Sequence, residues 1–209
     1  MRKSVPHRKE AFPGTHCPLF GVALTASYIN NLALVVVGTS ECTYYTKNFA
    51  YHRQHGRDKV YSLALDEKDV VFGAQNKVEK AIKDIIQIEN PEAIMIVTTC
   101  VPELIGEDYS SIEFSLQIPV FVVNTEHFKC NSHIPGMSRA LKSLSSVMEN
   151  SKVKDGVNIL GHRQKNVENT ELVKILNENN VKINTVIPSK CSIDDIKSCT
   201  KSKLNIVTD

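Results

Sequence analysis

Ala93-Ile94-Met95-Ile96-Val97-Thr98-Thr99 runs without a break into Cys100-Val101-Pro102-Glu103. The first seven residues are apolar or β-branched, with no polar alternation. A short run of that kind reads as a strand buried on both faces, as in a parallel sheet. Val101-Pro102-Glu103 reads as a helix start, because the first turn tolerates a residue that lacks an N–H. A buried strand that feeds a helix is the joint of a βα unit, and it decides for an α/β fold. It also sets Cys100 at the carboxyl end of the strand, the edge at which open α/β sheets bind ligands.

The same alternation extends outward. Upstream, Leu32-Ala33-Leu34-Val35-Val36-Val37 is another fully apolar run and reads as a buried strand, with a weaker strand at Val60 to Leu65. Val78, Ala81, Ile82, Ile85 and Ile86 recur at spacings of three and four, which marks an amphipathic helix that Pro91 stops. Downstream, Pro119 to Asn124 is a strand, and Pro135-Gly136 opens a helix running to Glu149. A second cycle follows: strands at Val157 to Leu160, Val181 to Ile187 and Leu204 to Val207, with helices at Glu171 to Asn180 and Ser192 to Cys199. Ser192 caps the last helix, and Asp194 and Asp195 lie in its first turn. The pattern predicts Rossmann-like parallel sheets with helices on both faces. The polar stretch Glu149 to Asp155 divides a unit at 1–150 from the first part of a second at 151–209. That second unit reads as incomplete, because its last strand ends at Asp209 with no covering helix, so the isolated chain is expected to aggregate without a partner.

Composition narrows the function. Of 209 residues, 42% are hydrophobic and the net charge is only +2, which excludes a disordered chain and argues against a nucleic-acid binder. Asn30 and Asn31 interrupt the apolar stretch Pro18 to Val37, so no transmembrane span or signal peptide is expected and the chain reads as cytoplasmic. In that reducing setting the six cysteines are not a disulfide framework. No CxxC pair, GxGxxG or Walker A pattern is present.

Two cysteines share one address. Cys42, in Gly38-Thr39-Ser40-Glu41-Cys42, lies just past one buried strand, and Cys100 lies at the end of another. Cys17 precedes Pro18, a favoured first helical residue. A helix amino-terminus lowers a thiol pKa and favours the metal-binding thiolate. Cys17, Cys42 and Cys100 can therefore converge as ligands at one sheet edge. The plainer reading, that each is a small buried hydrophobe, stays open beside it. Three thiolates are one short of the four a cubane cluster takes, so Glu41, Glu103, Asp108 or a partner subunit would supply the fourth ligand.

The blocks Cys17-Pro18-Leu19-Phe20-Gly21, Gly38-Thr39-Ser40-Glu41-Cys42, Val70-Val71-Phe72-Gly73-Ala74 and Thr98-Thr99-Cys100-Val101-Pro102-Glu103-Leu104-Ile105-Gly106-Glu107-Asp108 agree in order and rough spacing with one family. They resemble the nitrogenase component 1 superfamily: dinitrogenase subunits, the scaffolds that build their cofactor, and light-independent protochlorophyllide reductase-like subunits. The resemblance covers nearly the whole chain and implies an α/β fold of that type. It implies that Cys17, Cys42 and Cys100 bind an iron–sulfur cluster at the interface with a homologous subunit, in a homo- or heterodimer, with 4Fe–4S preferred over 8Fe–7S. It further implies an ATP-dependent iron protein that delivers electrons there, and a place for Gly21, Gly38 and Gly106 in close backbone approach to the cluster.

The departures are specific. Ser40-Glu41 stand where the family often has glycine before the cysteine. Lys203 to Asp209 resembles the strand leading to the cofactor cysteine of the dinitrogenase alpha subunit, but no cysteine is present. The chain reads as an amino-terminal portion, without the third domain that carries the cofactor histidine. The leading expectation is an electron-transfer subunit of a nitrogenase-like oxidoreductase, with alternatives in a non-catalytic cofactor scaffold and a cluster-free small-molecule binding module.

The remaining candidates read as ordinary. His127-x-x-Cys130-x-x-His133 resembles a zinc spacing but falls in a loop, Cys191 and Cys199 read as plain thiols, and His52 and His55 as a solvated face.

Overall fold

The computed structural model describes residues 17–54, 59–114, 116–125, 132–150, 155–162, 166–189 and 191–208. His16, His55, His127 and Cys130 fall outside the described residues.

The chain runs α1 (Pro18–Ser27), β1 (Leu32–Gly38), α2 (Ser40–Gln54), β2 (Val60–Ala64), α3 (Glu67–Phe72), α4 (Gln75–Glu89), β3 (Ala93–Thr98), α5 (Cys100–Leu104), β4 (Val120–Asn124) and α6 (Ile134–Leu144). It continues through β5 (Val157–His162), α7 (Glu171–Glu178), β6 (Ile183–Pro188), α8 (Ile193–Ser198) and β7 (Leu204–Val207). Strands β1 to β4 form one parallel sheet in the order β2-β1-β3-β4, and β5 to β7 a second in the order β6-β5-β7. β1 and β3 are buried along their whole length, as their unbroken apolar runs require. At the edge, β2 is only partly covered, in line with its weaker pattern.

Helix limits follow local chemistry. Asp66 caps α3 and Ser192 caps α8, each in a reciprocal capping box with the residue three positions on. α4 ends at Glu89, and its cap Asn90, directly before Pro91, takes a left-handed conformation (φ 45°). α6 is shorter than its sequence suggests: it stops at Leu144, and a 3-10 turn covers Ser145–Val147.

The first sheet is packed on both faces. Leu34, Val36, Met95 and Val97 face α1 and α6 through Leu19, Val22, Ala140 and Leu144. Val35, Val37, Ile94 and Ile96 face α4 through Val78, Ile82 and Ile85. The second sheet has its own small core under α7, around Ile159, Val167 and Val173. Its other helix behaves differently. Ile193 and Ile196 of α8, with Cys191 and Cys199 beside them, join the core under α1. An isolated bridge between Ile29 and Cys191 and a hydrogen bond from Asn30 N–H to Cys191 O (2.8 Å) fasten the same joint. The two sheets are separate, but the apolar core runs across both.

α1 and α6 meet unusually closely. A Cβ on Gly21 would lie 1.9 Å from His133 O, and one on Gly136 would lie 1.9 Å from Pro18 O. Each helix thus presses its glycine on the backbone at the amino-terminal end of the other. Gly21 serves this helix contact and Gly38 makes room for the Thr99 side chain, whereas Gly106 takes a positive φ of 79° in a turn. At Gly21 and Gly38 the space of a Cβ is filled by the chain itself, and at Gly106 it is open.

Candidate functional site

The strand order places a topological switch point between β1 and β3, because the chain leaves β1 for β2 on one side and returns to β3 on the other. Ligands of open α/β sheets bind in the crevice at such a point, outside the carboxyl ends of the strands. Cys42 follows β1 and Cys100 follows β3, so the two flank that crevice. Cys17 is the N-cap of α1, with extended backbone (φ −103°, ψ 130°). Cys42 stands in the first turn of α2 and Cys100 is the first residue of α5. All three are half-buried, whereas Cys191 and Cys199 are buried. Cys17 and Cys42 pack against the core beneath α1 and α6.

Neighbouring thiols add to the titration of Cys17 and Cys100. Burial raises the Cys17 pKa, and the neighbouring Cys42 and Cys100 raise it further against the Leu19 and Phe20 N–H groups, which lower it. Burial and then Cys42 raise that of Cys100 against its own and the Val101 N–H, with Glu103 adding to the rise. The helix amino-termini therefore do act as expected, but desolvation and mutual repulsion outweigh them. In the metal-free chain Cys17 and Cys100 are thiols, and a cation among them would have to displace protons.

The carboxylates named as a fourth ligand are engaged elsewhere. Glu41 is fully exposed, and its own N–H with the Thr39 and Ser40 hydroxyls holds its carboxyl below the usual range. Glu103 Oε1 accepts from Thr98 Oγ1 (2.8 Å), from the Thr125 amide and from Thr125 Oγ1 (3.0 Å), tying α5 to the end of β4. Asp108 accepts from the Ser110 N–H (2.9 Å) and hydroxyl (3.0 Å), which lower its pKa. Among the described residues no group of three His, Cys, Asp or Glu is placed to hold a single metal ion.

Apolar side chains rim this edge in the open. Tyr44 and Tyr45 in α2 pack edge-to-face with their rings 5.6 Å apart, and both are exposed. Phe72 at the end of α3 is 84% exposed, and Val71 and Leu104 are nearly as bare. Glu107 Oε1 accepts from Ala74 N (3.1 Å) and so clamps the exit of α3 to the exit of α5. The sequence marks this rim only by the unbroken Val70-Val71-Phe72 before Gly73, which reads equally well as core.

The family model for nitrogenase component 1 type oxidoreductases matches residues 17–209. The chain belongs to that family. Among curated nitrogenase component 1 relatives, the nitrogenase iron-molybdenum cofactor biosynthesis protein NifE of Clostridium pasteurianum is 27% identical over 201 residues, 91% of this chain and 44% of that protein. The nitrogenase molybdenum-iron protein alpha chain of Methanosarcina barkeri is 37% identical over 109 residues, 49% of this chain and 19% of that protein. The chain thus spans less than half the length of the relatives it matches. The solved structure of nitrogenase Cp1 at pH 6.5 superposes with a TM-score of 0.77 at 22% identity, covering 99% of this chain and 43% of that one. The component 1 fold predicted from the four sequence blocks is the fold observed. No helix among the described residues is long and apolar enough to cross a membrane.

Proposed function

We propose that Cys17, Cys42 and Cys100 hold an iron–sulfur cluster, and that the chain is an electron-transfer subunit, or the amino-terminal portion of one, in a nitrogenase-like oxidoreductase. The observation that carries this reading is the placement of three half-buried cysteines at three helix starts, two of them flanking the switch point. The donor set fits the group: thiolates are the ligands of such clusters, and the amino-terminal N–H groups offset their charge. A cluster there supplies one-electron storage. The chain's own residues fix the thiolates on short rigid joints, and the close α1–α6 contact sets the position of Cys17. The cluster proposed is 4Fe–4S, with three ligands from this chain and one from outside it.

The fourth ligand is assigned to a homologous partner subunit, since Glu41, Glu103 and Asp108 are committed within the chain. The exposed rim of Tyr44, Tyr45, Val71, Phe72 and Leu104 supports a protein partner at this edge, because apolar patches of this kind mark association surfaces. The proposed electron donor is an ATP-dependent iron protein. Residues 1–150 form the cluster-binding unit of this reading, residues 151–209 begin the second, and the protein is assigned to the cytoplasm.

A scaffold role for metallocofactor assembly is the second reading. The match to NifE along 91% of the chain supports it, as the match to the alpha chain of Clostridium pasteurianum along 86% supports the first. One experiment separates the two. Cluster-loaded protein is mixed with an iron protein and ATP, and in parallel with a cluster-free acceptor. ATP-dependent reduction of the bound cluster supports electron transfer; loss of iron to the acceptor without reduction supports the scaffold.

A further inference from the structure

The hydroxyl of Thr99 is sealed from solvent and meets no hydrogen-bond partner, in a residue only 2% exposed. Tyr109 is the other such side chain among the described residues, and the Glu107 carboxylate lies beside its hydroxyl. Thr99 has no comparable neighbour. It is the N-cap of α5, where a threonine ordinarily caps its own helix, yet no side-chain cap forms. Burying a hydroxyl without a partner is costly, so such an atom points to something that completes it.

The sheet register shows which way it points. The Thr99 N–H bonds Val37 O (3.0 Å), so the residue continues the β1–β3 ladder by one step. Side chains alternate along a strand. Ala93, Met95 and Val97 lie on the α1 and α6 face, and Thr99 continues that series. Gly38 continues Leu32, Leu34 and Val36 on the same face and contributes no side chain, so Thr99 Oγ1 occupies the space where a Gly38 Cβ would sit, 1.9 Å away. Cys17 and Cys42 pack against that same core, and Cys100 is the next residue. The orphaned donor stands on the thiols' side of the sheet, between the two strand ends that carry Cys42 and Cys100.

We propose that the Thr99 hydroxyl donates a hydrogen bond to a sulfur of the bound cluster, a cysteine thiolate or a bridging sulfide, and so raises its reduction potential. The inference rests on the cluster reading above. A donor at sulfur withdraws electron density and favours the reduced, more negative state. Thr99 is thus a positioning and tuning residue that does not itself ligate iron.

Thr99→Val keeps the shape and removes the donor, and Thr99→Ser keeps the donor. Each is reconstituted anaerobically with ferrous iron and sulfide beside the wild type, and the midpoint potential is read by EPR-monitored titration. At equal iron content Thr99→Val is expected to have a lower potential than wild type, and Thr99→Ser to match wild type. In the metal-free protein Thr99→Val is expected to melt at the same temperature or higher, since it removes an orphaned polar atom. Equal potentials in wild type and Thr99→Val, or a lower melting temperature for metal-free Thr99→Val, overturn the role of Thr99 alone. A wild-type protein that takes up no iron even when reconstituted with its partner subunit overturns the cluster reading and this inference with it.

Discussion

Gly136→Ala sets two effects of opposite sign against each other. Alanine is the better helix former by about 1 kcal/mol, and on an open helix the change would stabilise. Here the new methyl would lie 1.9 Å from Pro18 O. Carbon–oxygen contact begins at about 3.3 Å, so α1 or α6 must retreat by about 1.4 Å. The obstacle is backbone, which cannot rotate aside, so the overpacking cost is at the upper end of its usual range, about 3 kcal/mol. The net expectation is a loss of about 2 kcal/mol. For a chain of this size that lowers the melting temperature by about 4–8 °C. The assay is a thermal melt followed by circular dichroism, with Ser138→Ala at an exposed position of the same helix as control. The control gains helix propensity alone and should rise slightly. Because Pro18 adjoins Cys17, the same shift should loosen iron binding, and metal sites respond to displacements of this size. A melting temperature for Gly136→Ala at or above wild type would refute the claim that the two helices meet backbone to backbone.

Other residues give independent checks. Glu103→Ala orphans the N–H and hydroxyl of buried Thr125, while Thr98 Oγ1 keeps Asn124 Oδ1 (3.0 Å), and should cost about 3 kcal/mol in urea denaturation, with Glu103→Gln milder because it keeps an acceptor. Ile196→Ala should cost about 3 kcal/mol and lower the single melting transition of the whole chain, because Ile196 belongs to the core beneath α1; a separate early transition of the second sheet alone would contradict that shared core. Burial, and then Asp195, push the Cys191 thiol up from its ordinary value to about 12. Below about pH 9 the thiol is neutral whether folded or not and its contribution is complete; between about pH 9 and 12 the unfolded chain ionises first and stability falls. Cys191→Ala should flatten that part of the stability–pH curve, read by denaturation at stepped pH.

Much of the fold was legible because buried strands and amphipathic helices write themselves in apolar spacing. β1 and β3 are unbroken apolar runs, and α4 and α7 carry apolar residues at helical intervals. The helices that escaped periodicity did so for physical reasons. α1 is buried nearly all round, from Pro18 to Ala26, so it has no polar face to set a period. α2 turns Thr43 and Thr46 inward, each satisfied by a carbonyl of the preceding turn, and turns Tyr44 and Tyr45 outward, which inverts the usual pattern. Cys42, which the sequence places only as just past a buried strand, stands in a helix. The place of Cys42 and Cys100 past strand ends, and of Cys17 at a helix start, was legible. The upward titration of Cys17 and Cys100 was not, because burial and the charge of neighbouring groups depend on distances that spacing along the chain does not carry. The α1–α6 glycine contact and the place of α8 in the first core join residues more than a hundred positions apart in the chain, and nothing local announces them.

The central claim is that these three cysteines hold a cluster together. The direct measurement is iron and acid-labile sulfide on anaerobically purified protein, with Cys17→Ser, Cys42→Ser, Cys100→Ser and Cys191→Ser beside it. The account predicts cluster-level iron and sulfide in the wild type and Cys191→Ser, and their loss in each of the other three. Iron retained in all three, or absent from the wild type after reconstitution with its partner subunit, would contradict it.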